Sequence, residues 1–159
     1  MKPTVLWVED SARLELANLC GPVYFTGACQ LTLAENVTTG VELLTANAYH
    51  VLIVDVRLPP GSDPRWLEHY RNAGSDKVDA QLGLKLLHWL ITGDPAVYAA
   101  PPPAWVDPAR IGVFTVESRH ELSEPLERLG ITTYQQKVAD LPDTVLNDMI
   151  MSLLERTAS

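Results

Sequence analysis

The sequence predicts a three-layer α/β/α domain built on a doubly wound sheet of five parallel strands. Two observations predict it. The runs Val5-Leu6-Trp7-Val8, Val51-Leu52-Ile53-Val54 and Ile111-Gly112-Val113-Phe114 have the length and unbroken apolarity of strands buried on both faces. Stretches of helical periodicity separate them, which is the alternation of a parallel sheet. A third observation concerns the polar residues at strand ends: Glu9-Asp10, Asp55, Thr115 and Lys137 each stand where a strand stops. Ligands of open parallel sheets bind outside the carboxyl ends of the strands, so these residues point to one site assembled from four strands.

The first strand reads as Thr4 to Glu9, and a helix is expected from Ser11, an N-cap residue type, through Leu14, Leu16, Ala17 and Leu19. Cys29 to Ala34 is a weaker second strand. The second helix begins near Val37 and places Val41, Leu44 and Ala48 on one side; His50 to Val56 is the third strand. Ser62-Asp63-Pro64 supplies a cap and a first-turn proline for a short helix ending near Gly74. The polar stretch Ser75 to Gln81 separates it from a stronger helix at Leu82 to Ile91. Gly93-Asp94-Pro95 and Ala99-Ala100-Pro101-Pro102-Pro103 make the next segment a stiff loop. Strand four starts near Arg110 and strand five near Thr132. The last helix, Pro142 to Arg156, carries Val145, Leu146, Met149, Ile150, Leu153 and Leu154 on a broad apolar face.

Composition narrows the function classes. The chain has 159 residues, room for one domain with a proper core, and its apolar share of 47% excludes wholesale disorder. A net charge of -8 without a basic patch speaks against direct nucleic-acid binding. No apolar run approaches the roughly 20 residues that span a bilayer, and no signal-peptide pattern opens the chain. Cys20 and Cys29 are too few for a disulfide framework. The expectation is a cytoplasmic single domain with no membrane partner.

An acidic pair, then an aspartate, a threonine and a lysine at successive strand ends is a set that resembles the receiver domain of response regulators. Asp55-Val56-Arg57-Leu58-Pro59 resembles that family's signature around its phosphoacceptor, and Gly83-Leu84-Lys85-Leu86-Leu87 the start of its third helix. The resemblance covers nearly the whole chain apart from about 62–81 and about 92–109, which read as insertions. It implies a flavodoxin-like receiver fold with Asp55 as phosphoacceptor, Thr115 as switch hydroxyl, Tyr134 as switch aromatic and Lys137 as the phosphoryl-holding lysine. It further implies Mg²⁺ held by Glu9, Asp10, Asp55 and the backbone carbonyl of Arg57. A histidine kinase or phosphotransfer protein would be the donor and an unidentified protein the downstream partner, with homodimerisation open. Such a protein is a phosphoacceptor switch rather than an enzyme in the usual sense.

The chemistry of the residues agrees. A carboxylate can attack phosphorus, and the incoming phosphoryl adds about two negative charges beside three carboxylates. Hard oxygen ligands suit the Mg²⁺ that such crowding requires. A haloacid-dehalogenase type of hydrolase would need a second acidic residue two positions beyond Asp55, where Arg57 stands.

Taken singly, each residue has a plainer reading: Asp10 as a helix cap, Thr115 as a strand-end hydrogen bonder, Lys137 as a surface charge, Tyr134 as a half-buried aromatic. Two departures, together with the insertion beside the site, favour the alternative of a receiver-like interaction module that is never phosphorylated. Val138 stands where the family has a proline after a cis peptide; a trans bond there predicts a displaced Lys137. Pro125 predicts an interrupted fourth helix of the family, restarting near Ser123 and leaving Ser118 to Leu122 irregular. For the first insertion, one reading is a lid bringing Arg65, His69 or Arg71 over Asp55. The other is a packed surface helix with Trp66, Leu67 and Tyr70 inside.

Overall fold

The apolar runs form strands because their side chains can be buried on both sides of a sheet. In the computed structural model, which describes residues 2–73 and 80–158, they are β1 (Thr4–Val8), β2 (Gln30–Ala34), β3 (Val51–Val54), β4 (Ile111–Thr115) and β5 (Thr133–Gln136). All pair in parallel, in the order β2-β1-β3-β4-β5. The order reverses between β1 and β3, so a crevice opens at their carboxyl ends.

Side chains alternate between two cores. Leu6, Val8, Leu52, Val54, Ile111 and Val113 face one; Val5, Trp7, Val51, Ile53 and Phe114 face the other. The second face is covered by α1 (Cys20–Thr26) and α6 (Val145–Ala158). The first is covered by α2 (Val37–Ala46), α3 (Pro64–Asn72), α4 (Leu82–Thr92) and α5 (Arg119–Leu129). The expected three layers are therefore present, and no described helix is long and apolar enough to cross a membrane.

Two helices differ from expectation. Residues 10–16 form successive turns and 17–19 a 3₁₀ turn, and α1 starts only at Cys20. The Ser11 hydroxyl bonds the Glu15 carboxylate instead of capping a helix. Gly21 and Pro22 then prevent an earlier helix from running on, since Pro22 has no N–H to give the preceding turn. By contrast, α5 is continuous through Pro125. Ser118 caps it by accepting from the Glu121 N–H, and Leu122, Leu126 and Leu129 lock its inner face. That anchoring outweighs the one backbone bond Pro125 removes, so residues 119–122 are helical and not irregular.

The segment after β3 is fastened rather than loose. The Val37 and Thr38 N–H groups at the start of α2 donate to the carbonyls of Pro59 and Pro60. Gly61 turns there with φ +80°, and a side chain on it would collide with Asn36 and Thr38. Asp63 caps α3 and also accepts from the Tyr98 hydroxyl at 2.8 Å. Trp66 is completely buried, stacked on Tyr98 with centroids 5.5 Å apart, and Trp89 meets the edge of the same ring. His69 Nε2 bonds the Val97 carbonyl at 2.8 Å, and Arg65 bonds the carbonyls of Val97 and Ala96. Helix α3 and the proline-rich loop thus hold one another. The side-chain donors of Arg65 and His69 are thus engaged with the 96–97 carbonyls and Trp66 is buried, as the packed-helix reading has it. The expected polar stretch Ser75 to Gln81 lies mostly outside the described residues.

Candidate functional site

Three of the site residues are placed by strands that continue one bond past their formal ends, and Thr115 is the last residue of β4. The Glu9 N–H donates to Ala34, the Asp55 N–H to Val8 and the Lys137 N–H to Thr115. The backbones at the ends of β1, β3 and β5 are thereby fixed along the carboxyl edge of the sheet. Glu9 and Thr115 are fully buried and Asp55 nearly so. Glu9, Asp10 and Asp55 bring carboxylate oxygens within 4.8 Å of one another.

Lys137 meets this cluster from the last strand. Its Nζ lies 2.9 Å from Asp55 Oδ2 and also bonds Glu9 Oε1. No cis peptide occurs among the described residues, so the bond to Val138 is trans, yet the ammonium reaches both carboxylates. The expected displacement of Lys137 is not found: its backbone is held by the bond to Thr115, and the long side chain does the reaching.

The electrostatics follow from three acids facing one ammonium. Burial first, then the hydrogen bond and charge of Asp55, push the Glu9 carboxyl up to about 9 against the opposing pull of Lys137. Burial works against the Lys137 ammonium, but Asp55 and Glu9 outweigh it and hold its pKa above the ordinary value. Glu9 Oε2 is buried with no hydrogen-bond partner. An orphaned carboxylate oxygen beside two further carboxylates fits a hard divalent cation.

Two features of the site were not anticipated. Arg57 pairs its side chain with the buried Glu117, Nε to Oε1 at 2.5 Å, while its N–H bonds Asp55 Oδ1 at 3.3 Å. The hydrogen bond from Arg57 holds the Glu117 carboxyl below its usual range. A signal was available: Arg57 follows Asp55 by two, Glu117 follows Thr115 by two, and neighbouring strands bring equal offsets side by side. Tyr134 is half-buried and its hydroxyl donates to the Glu117 carbonyl, with Arg119 stacked 4.9 Å over its ring. The second feature is Gly83, whose N–H bonds the Val56 carbonyl at 2.9 Å. A Cβ on it would fall 1.9 Å from the carbonyl oxygen of Asp55.

No family model matches the chain, and no curated protein matches it. Solved structures do. A CheY-like response regulator receiver domain protein from Methanospirillum hungatei superposes with a TM-score of 0.63 at 16% identity, covering 99% of this chain and 98% of that one. The receiver domain of the Francisella response regulator 1452 gives 0.60 at 16% identity, covering 99% and 98%. DrrB of Thermotoga maritima, an OmpR/PhoB homologue, gives 0.60 at 15% identity and 98% of this chain, which spans only 54% of the DrrB chain. The chain therefore has the response-regulator receiver fold over nearly its whole length.

Proposed function

We propose that this protein is the receiver domain of a two-component response regulator and that Asp55 is its phosphoacceptor. The observation that carries the reading is the meeting of Glu9, Asp10, Asp55 and Lys137 at the carboxyl edge of a receiver fold. Other chains of this fold include one described as BeF₃-activated, which is the kind of activation the reading requires here.

Mg²⁺ would be held by Glu9, Asp10 and Asp55, with the Arg57 carbonyl completing the protein ligands. When bound, it would neutralise the charge that gathers as phosphoryl arrives. The residues do the rest. An Asp55 carboxylate oxygen attacks phosphorus; a P–O bond forms and the bond to the donor's leaving group breaks. Lys137 and the Thr115 hydroxyl donate to the phosphoryl oxygens, fixing them where charge develops. Thr115 and Tyr134 meet at Glu117, whose N–H faces the Thr115 hydroxyl oxygen at 3.4 Å and whose carbonyl accepts from Tyr134. Movement of Thr115 toward phosphoryl would therefore be felt by Tyr134 through one residue. The donor would be a histidine kinase or phosphotransfer protein, and the output a changed surface read by a protein partner.

The test is intact-protein mass spectrometry after incubation with acetyl phosphate and Mg²⁺, beside Asp55→Asn. A single phosphoryl adduct that needs both Mg²⁺ and Asp55 is expected. A folded protein that forms none would instead be a phosphorylation-independent interaction module.

A further inference from the structure

Arg57 and Glu117 stand two residues beyond Asp55 and Thr115, on the loops that follow β3 and β4. Their ion pair, Nε to Oε1 at 2.5 Å, joins these loops directly. The Glu117 side chain is only 6% exposed, against 44% for Arg57. Glu117 also faces the carboxyls of Asp55 and Glu121, so the guanidinium balances crowded negative charge. Drawing the partners apart would leave a buried carboxylate uncompensated, and the two side chains therefore move together.

The main chain at each end of this link touches a different part of the site. At one end the Arg57 N–H bonds Asp55 Oδ1 at 3.3 Å, while Lys137 bonds Oδ2 at 2.9 Å. A cation or phosphoryl group arriving at Oδ1 has to share that oxygen with the Arg57 N–H. At the other end the Glu117 N–H faces the Thr115 hydroxyl oxygen at 3.4 Å, and the Glu117 carbonyl accepts from the Tyr134 hydroxyl. Arg119 lies 4.9 Å over the ring of Tyr134 and follows it.

We infer that Arg57 and Glu117 are positioning residues, whose side-chain pair carries a displacement at Asp55 across to Thr115 and Tyr134. Through this link a divalent cation on the acidic cluster resets the aromatic before any phosphoryl group arrives. The inference rests on the reading of Glu9, Asp10 and Asp55 as a Mg²⁺ site.

The test titrates MgCl₂ alone, with no phosphodonor, into the full ¹³C,¹⁵N-labelled chain. In the unaltered protein, saturable shifts are expected at the Asp10 and Asp55 amides and, on the same isotherm, at the Tyr134 ring and the Arg119 Nε–H. Glu117→Ala should keep the Asp10 and Asp55 shifts and shrink those of Tyr134 and Arg119 by about fivefold or more. Arg57→Ala cuts the link from its other end and should shrink them too, so the result does not hang on one variant folding. Glu117→Gln keeps an acceptor for the Arg57 Nε–H and should restore most of the response. A pair that only braces the two loops would lower the urea midpoint of the alanine variants and leave the Tyr134 response to Mg²⁺ intact. That outcome would overturn the inference while the metal site stood, as would a Tyr134 ring that ignores Mg²⁺ in the unaltered chain. Absence of shifts at Asp10 and Asp55 would overturn both.

Discussion

Among the described residues, Lys137 is the sole cation against the acidic cluster, so its removal isolates what that pairing does. In Lys137→Ala, Asp55 and Glu9 stay buried without an ammonium. A loss of about 3 kcal/mol in urea unfolding in EDTA is expected, and much of it should return on adding Mg²⁺. Glu9 carries its own pH signature. Its carboxyl ionises near 4.5 when unconstrained and near 9 in the fold. A carboxyl raised in this way contributes stability that is whole below the unfolded value and lost as pH climbs through the folded one. The urea midpoint in EDTA should therefore decline between those two values, and Mg²⁺ should flatten the decline by favouring the carboxylate. A midpoint indifferent to pH would mean that Glu9 is already ionised in the folded protein. At this scale the sequence was informative, because Glu9, Asp10, Asp55, Thr115 and Lys137 all stand at strand ends. Glu117 escaped notice because a lone glutamate in a loop looks solvated; only the third dimension brings Arg57 against it.

Helices show where local reasoning succeeds and where packing overrides it. Pro125 removes one backbone bond, yet three buried leucines and the Ser118 cap keep α5 whole. The stretch from Ser11 has helical composition but unwinds into turns ahead of Gly21 and Pro22. Helix α4 is set by a close approach that no periodicity reveals. Gly83→Ala should cost about 3 kcal/mol, because the added methyl meets backbone rather than a flexible side chain. The variant should also displace the Asp55 and Val56 amide resonances, whereas Leu87, deep in the same helix, should shift little. For α3, Trp66→Ala should cost about 3–5 kcal/mol by emptying the stack beneath Tyr98. It should also lower the exchange protection of the loop at residues 96–100. Unchanged stability would return α3 to the status of a loosely attached lid.

For the whole molecule, the architecture was legible because parallel strands leave a simple trace: apolar runs, helical intervals and polar ends. Topology followed from that alternation, and the strand order places β1 and β3 side by side with β4 and β5 beyond. Sequence could not show that α3 and the proline-rich loop belong to the core, since their bonds are made between residues some thirty positions apart. Excising 62–81 would for this reason remove part of the core and not a detachable flap. The same reasoning applies with more force to the contact between Lys137 and Glu9, which are separated by 128 positions. Contacts of such long sequence separation form late, after loop closure has been met for every intervening strand. Until β5 docks, the acidic cluster has no balancing ammonium, and Glu9 can lie buried beside Asp55 only by keeping its proton. Arrival of β5 is thus what completes the cluster: the segments that supply the carboxylates can lie beside one another before the ammonium that balances them is in place.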